Sequence, residues 1–329
     1  MRRSSRDLAV HPLSHSVQPR IHYCDNYLLP LPSGHKFPME KYRMVRDLLV
    51  PEGLYRFECA PFATREQIER VHTKDYVAAF LEGTLSEQAV RRIGFPWSPA
   101  LIERTLASVG GAVAAAHDAL ERGFGGNLAG GTHHAFAGEG SGFCVFNDIA
   151  VAIETLRSAG KISRAAVVDL DVHQGDGTAA IYENDPDVLT FSMHGAHNFP
   201  FRKQQSKIDI ALPNDTGDDE YLEHLTETLP QVFAFRPDAV FFQAGVDALR
   251  EDKLGKLAMS QEGLSARNRL VLEACHEEGI PVVVCMGGGY SLPIEHSVRA
   301  HAQVFLDLAA VFLPQTHSLS AWRGLEQVP

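Results

Sequence analysis

The 329-residue chain has no apolar run near the roughly 20 residues that a membrane-spanning helix needs, which excludes a transmembrane span. A secretory leader is not expected either. Met1-Arg2-Arg3-Ser4-Ser5-Arg6 is basic and serine-bearing, but no apolar segment follows it before the Pro and His residues of Val10 to Pro19. A flexible tail over residues 1–19 is the expectation, with a transit peptide as the alternative. Cysteine is scarce: Cys24, Cys59, Cys144, Cys275 and Cys285 are odd in number and far apart. That pattern is no disulfide framework and reads as reduced, buried thiols of a cytoplasmic protein. Clustered Lys and Arg are also missing, and the formal charge of −11 argues against direct nucleic-acid binding as the main task. The glycine runs lack both the Gly-X-Gly-X-X-Gly spacing and a following Lys-Ser/Thr, which removes nucleotide binding. No repeat, low-complexity block or linker divides the chain, so residues 20–315 are expected to form one domain, followed by a tail over 316–329.

Helix signals are well spaced. Thr64-Arg65-Glu66-Gln67 has the capping-box pattern and opens an amphipathic stretch to Leu81, closed at Gly83. Ser98-Pro99 supplies an N-cap and an N1 proline for a helix through Leu120 that closes at Gly123. Helical periodicity recurs over 148–156, 220–235, 260–278 and 294–312. Short apolar runs alternate with these helices: 127–129, 165–170, 188–193, 239–243 and 281–286. The alternation predicts an α/β fold with a mostly parallel, doubly wound sheet in a single domain. Ligands of such folds bind beyond the carboxyl ends of the strands. Each of the five runs is followed there by a polar or glycine-rich element: Gly130-Gly131-Thr132-His133-His134, Asp169 to Asp176, Ser192-Met193-His194, Gly245-Val246-Asp247, and Gly287-Gly288-Gly289-Tyr290.

The segment Asp169-Leu170-Asp171-Val172-His173-Gln174-Gly175-Asp176 places four ionisable side chains at the end of a buried-strand pattern, where uncompensated carboxylates are costly. A cation is expected there. Asp171 and His173 are two residues apart, so on an extended backbone they leave the same face. A polar loop after a strand is the plain alternative. Asp247 also follows a wholly apolar strand and is the leading third ligand, its alternative being a helix N-cap. Two carboxylates and one imidazole suit a borderline divalent cation such as Zn²⁺, and three ligands leave positions open for water and substrate. His133 and His134 are adjacent, so they would reach a bound water rather than chelate one ion. Asp169 and Asp176 are the carboxylates left to orient them, paired as Asp169 with His133 and Asp176 with His134. Tyr290 after three glycines offers a phenol to a developing oxyanion.

These residues resemble the histone deacetylase and acetylpolyamine amidohydrolase family of zinc hydrolases, which shares its fold with arginase. The resemblance runs through Ile21-His22-Tyr23, Val71-His72-Thr73-Lys74-Asp75-Tyr76, the Gly-Gly-Thr-His-His segment, Gly142-Phe143-Cys144-Val145-Phe146-Asn147-Asp148 and the strand ends above. Residues 37–42 and 94–98 are similar to a bacterial or class IV-like branch. The resemblance implies one Zn²⁺ held by Asp171, His173 and Asp247. It implies that His134 moves the proton with His133 assisting, the division between the two being open, and that Tyr290 holds the oxyanion. Gly142, Phe143 and Phe199 would line a narrow tunnel for a lysine-like chain. A structural K⁺ would sit around Asp169, Asp171, His173, Ser192 and Met193. The implied substrate is an acylated lysine in a protein, with an acetylpolyamine or other small amide as the alternative. Arginase-like two-metal chemistry is disfavoured, because Gly175 and Leu249 stand where the extra carboxylates would be. A non-catalytic acyl-lysine scaffold would have lost a ligand, a histidine or the tyrosine, and all are present.

Overall fold

The structure is a computed structural model and describes residues 18–313; the expected tails otherwise lie outside the described residues. In chain order the elements are β1 (Arg20–Tyr23), α1 (Lys41–Leu49), β2 (Arg56–Cys59), α2 (Arg65–Ile68), α3 (Lys74–Glu82), α4 (Glu87–Ile93), α5 (Pro99–Arg122), β3 (Phe124–Asn127), α6 (Asp148–Ser158), β4 (Ala165–Asp169), α7 (Asp176–Ile181), β5 (Val188–Gly195), β6 (Ile208–Leu212), α8 (Asp218–Ala234), β7 (Ala239–Gln243), α9 (Gln261–Glu277), β8 (Val282–Cys285) and α10 (Glu295–Phe312). One eight-stranded sheet has the order β2-β1-β3-β8-β7-β4-β5-β6. Every strand pair in it is parallel.

Alternation along the strands feeds two apolar layers, one on each face. Val168, Phe242 and Val284 pack into one cluster. Val167, Phe241 and Val283 pack into the other. A buried Phe of this kind contributes roughly 2–3 kcal/mol relative to exposure. The edge strands β2 and β6 carry exposed residues, as befits strands paired on one side only. Among the described residues no helix is long and apolar enough to cross a membrane. All five cysteines are free, and Cys59 is exposed rather than buried.

Three expected boundaries are corrected. The stretch from Thr64 to Leu81 is two helices. The capping box forms, with Gln67 N donating to Thr64 Oγ1 at 3.2 Å and Thr64 N to Gln67 Oε1 at 2.8 Å. The helix then stops, because His72 turns inward to donate from Nδ1 to Phe136 O at 3.0 Å and to accept Asn147 N on Nε2 at 2.9 Å. Tertiary hydrogen bonds outweigh the periodicity. The strand expected at 127–129 lies earlier, at Phe124–Asn127. Its glycines hid it, and they are required by packing: a Cβ on Gly125 would sit 1.9 Å from Ala115 O of α5. Finally, Ser192-Met193-His194 is inside β5, not beyond its end.

Candidate active site

The carboxyl ends of β3, β4, β7 and β8 converge on a cavity of about 610 Å³ whose lining includes His133, His134, Asp171, His173, Asp247 and Tyr290. Each segment is fixed locally. Asp148, in the first turn of α6, accepts Gly131 N at 2.9 Å and Thr132 N at 2.7 Å, which clamps the turn that presents the two histidines. Asp252 accepts Tyr290 N at 2.6 Å and holds the opposite glycine-rich turn.

Asp171, His173 and Asp247 bring one ligand atom each within 4.8 Å of one another, the three being buried. Both carboxylates are aimed by the backbone, and Asp171 Oδ1 also accepts His173 N at 3.0 Å. Asp171 Oδ2 accepts Gly288 N at 2.7 Å, and Asp247 Oδ1 accepts Val172 N at 2.8 Å. The remaining oxygens lie 3.1 Å and 3.0 Å from His173 Nδ1. Burial and the charge of Asp171 push the Asp247 carboxyl up to about 7. Burial opposes a charged His173, but hydrogen bonds to Asp171 and Asp247 raise it to about 10. Two like charges are thus held together in a dry place by a proton, and a divalent cation would replace that proton. This donor set fits Zn²⁺.

His133 Nδ1 bonds Asp169 Oδ2 at 2.7 Å, and His134 Nδ1 bonds Asp176 Oδ1 at 2.6 Å. Neither Nε2 has a hydrogen-bond partner among the described residues. The two rings are 4.1 Å apart. Burial lowers His133, but Asp169 and Asp171 outweigh it and raise the group to about 9. Burial and the His133 charge lower His134 to about 4, the Asp176 bond opposing them. Tyr290 is partly exposed at the cavity wall, and burial holds its phenol well above the ordinary value, so it is a donor.

Phe143 has φ 66°, a left-handed conformation that costs a non-glycine residue about 1–2 kcal/mol. Its N–H on Ile93 O at 2.7 Å holds that conformation. The ring is thereby set 5.3 Å from Phe37 and 6.3 Å from Tyr290. Gly142 precedes it, and Phe199 lies edge-on 5.0 Å from the His134 ring; all three line the cavity. Ser192 stands beside Asp169 in the β4–β5 register, followed by Met193. Ser192 Oγ is bonded to His194 Nδ1 at 3.0 Å, and both Asp169 oxygens are engaged, by Asp171 N and His133. A potassium ion there would draw on main-chain carbonyls.

Gly175 and Leu249 bear on metal count. A Cβ on Gly175 would lie 2.2 Å from Asp169 Oδ2 and 3.2 Å from His133 Nδ1, so a side chain there would break the Asp169–His133 pair. Leu249 is buried in the apolar core. Among the described residues Asp171, His173 and Asp247 are the one cluster with metal-ligand spacing.

A histone deacetylase domain model matches residues 35–305. This chain belongs to the histone deacetylase family. A protein of Picosynechococcus described as uncharacterised is 48% identical over 85% of this chain and 95% of its own length. Histone deacetylase 2 of Arabidopsis thaliana is 32% identical over 86% of this chain and 76% of its own. A solved structure of a histone deacetylase homologue complexed with SAHA superposes with a TM-score of 0.75 at 26% identity, covering 91% of this chain and 86% of that one. The parallel sheet flanked by helices is the arginase/deacetylase fold, and family membership supports a deacetylase or amidohydrolase activity.

Two contributors went unnoticed in the sequence. Lys41, wholly buried, donates to Gly287 O at 3.4 Å and Gly289 O at 3.2 Å, and lies 5.0 Å from the Tyr290 ring centroid. Asp252 is the other. Lys41 carried a signal: with Val45 and Leu49 it falls at i, i+4, i+8 on the buried stripe of α1.

Proposed function

We propose that this histone deacetylase family member is a one-zinc deacylase that hydrolyses the amide of an acylated lysine or related amine. The observation that carries the reading is the convergence, in one cavity, of the three-ligand cluster, two aspartate-bound histidines and a neutral phenol. Zn²⁺ on Asp171, His173 and Asp247 supplies, when bound, Lewis acidity that polarises a carbonyl and lowers the pKa of water from 15.7 towards ~7. A K⁺ near Asp169 and Ser192 belongs to the same reading, in a supporting role.

The protein's own groups do the rest. His134 is neutral and its Nε2 is free, so it accepts the proton of the water that adds to the amide carbon. The same nitrogen then returns that proton to the amine as the C–N bond breaks, leaving a carboxylate and a free amine. Charged His133 favours the negative charge that develops on the carbonyl oxygen, and the Tyr290 hydroxyl donates to it. Asp176 fixes the tautomer of neutral His134 by accepting from Nδ1, and Asp169 orients the charged His133 ring in the same way. Phe143 and Phe199 hold the methylene chain of the substrate between aromatic faces, which excludes water from the reacting amide.

The test is turnover by zinc-reconstituted protein on acetyl-lysine peptides, acetylpolyamines and long-chain acyl-lysine peptides. Tyr290→Phe should lose about 10²–10³ in kcat with zinc retained, the size of one oxyanion donor. A wild type inert on every amide while holding stoichiometric zinc would overturn the reading. Asp171→Ala should lose the zinc itself, measured by metal analysis.

A further inference from the structure

The inner part of the cavity contains a charge that the hydrolysis of an acetyl group does not use. Helix α5 lays Leu101, Arg104, Thr105 and Ser108 along the cavity. Arg104 is only 7% exposed, and no carboxylate of the described residues pairs with it. Its neighbours are uncharged: Nη1 donates to Cys24 O at 3.1 Å and meets Cys24 Sγ at 3.4 Å, and the guanidinium carbon lies 4.4 Å from the Tyr42 ring centroid. Burial holds the Cys24 thiol and the Tyr42 phenol above their ordinary values, so neither supplies a negative charge. Asp25 acts on Arg104 through its charge but does not pair with it, its salt-bridge partner being Arg46 Nε at 3.0 Å. A second buried cation, Lys41, is 5.3 Å from the same Tyr42 centroid. Arginine cannot escape by losing its proton, and a buried guanidinium without an anion is costly. Its planar donor fork matches a carboxylate.

We propose that Arg104 makes the inner end of the cavity a carboxylate subsite, so that the acyl groups this site hydrolyses include ones that end in an acid. The ligand class is the ω-carboxyacyl amide, such as succinyl- or glutaryl-lysine. The proposal rests on the deacylase reading: water adds to the amide carbon, the C–N bond breaks, and the products are a dicarboxylate and a free amine. From Tyr290 the contacts run inward through Lys41 and Tyr42 to Arg104, so acyl length decides which acid reaches the guanidinium.

The test compares acid with neutral isostere on one lysine peptide: succinyl against succinamyl and glutaryl against glutaramyl, with acetyl alongside, using zinc-loaded protein. The expected result is at least a tenfold preference in kcat/KM for one of the acids over its amide. Arg104→Gln should bring that ratio to near one, and Arg104→Lys should keep part of it. In metal-free protein, glutarate should raise the unfolding temperature of wild type and not of Arg104→Gln. The wild-type ratio decides the matter even where a variant folds poorly. Equal turnover of acid and amide, with acetyl-peptide turnover intact, overturns the subsite and leaves the deacylase reading standing. Failure on every acyl peptide removes both. Arg104-dependent binding of acetate without any preference for acid over amide assigns the guanidinium to the released product and also overturns the proposal.

Discussion

Two regions hold a histidine against a buried aspartate, and they differ in what else each aspartate touches. In the first, His22 of β1 lies 2.8 Å from Asp118 of α5, and Arg20 joins the same carboxylate. Burial would raise Asp118, but the bonds from His22 and Arg20 carry it below its ordinary value. That region is charge-balanced and does not line the cavity. In the second, Asp169 and Asp176 hold His133 and His134 with no arginine in attendance, and both rings line the cavity. Within the second region the pairs diverge again: His133 Nε2 lies 3.9 Å from Asp171 and gains from its charge, whereas His134 stands next to charged His133 and loses. An Asp–His pair is therefore not a functional unit by itself. The charges around the pair and its access to a cavity separate one that braces the fold from one placed to act on a ligand.

The sharpest way to break this comparison is to remove one ring from each region. His134→Ala should cost about 10²–10⁴ in kcat, the usual worth of a positioned general base, with the fold retained by circular dichroism. Equal loss from His22→Ala would erase the distinction. Next is the zinc competition with bound protons. His173 is raised to about 10 and Asp247 to about 7, so zinc must displace both protons below pH 7 and one between pH 7 and 10. Affinity against a chelator should accordingly rise with pH, about tenfold per unit above pH 7 and more steeply below it, whereas a pH-independent affinity would contradict the assigned ligands.

Smaller effects separate the two proposed catalytic pairs. Asp169→Asn removes a charge that raises His133, so the alkaline limb of kcat/KM should move to lower pH. Asp176→Asn removes one that raises His134, so the acid limb should move to lower pH. Shifts of about one unit are expected from loss of a contacting charge, and movement of the same limb in both variants would show that the pairs are not independent. Smallest for activity is His22→Ala. It leaves Asp118 short of a partner and should cost about 1–3 kcal/mol in denaturant unfolding while kcat stays unchanged.

The site was legible where chemistry sits within a few residues on one strand end. Asp171 and His173 share a face by spacing alone, and Asp247 and Tyr290 each end an apolar strand. Elements that depend on distant partners were not legible. β1 and β2 are four residues each, and β2 at the sheet edge buries none of its residues fully, so neither shows a burial pattern strong enough to read. β3 was masked by glycines that close packing requires, Gly125 against α5 and Gly126 against Ile21 and Phe305. The break between α2 and α3 follows from His72 bonding to residues 136 and 147. Lys41 and Arg104 were overlooked because charged residues on helices are normally solvated, although both fall on buried stripes.

The strand order sets a sequence of assembly. β8 lies between β3 and β7, so without it the sheet is two pieces, β2-β1-β3 and β7-β4-β5-β6. The proposed ligands Asp171, His173 and Asp247 all belong to the second piece, while His133 and His134 follow β3 of the first and Tyr290 follows β8 itself. Gly288 N also reaches back 117 residues to aim Asp171. A nascent chain therefore carries both histidines and the proposed ion-binding trio before Tyr290, the last of the proposed site residues, is made. β8 is the keystone: on the proposed reading, the site has all its parts only once that strand closes the seam.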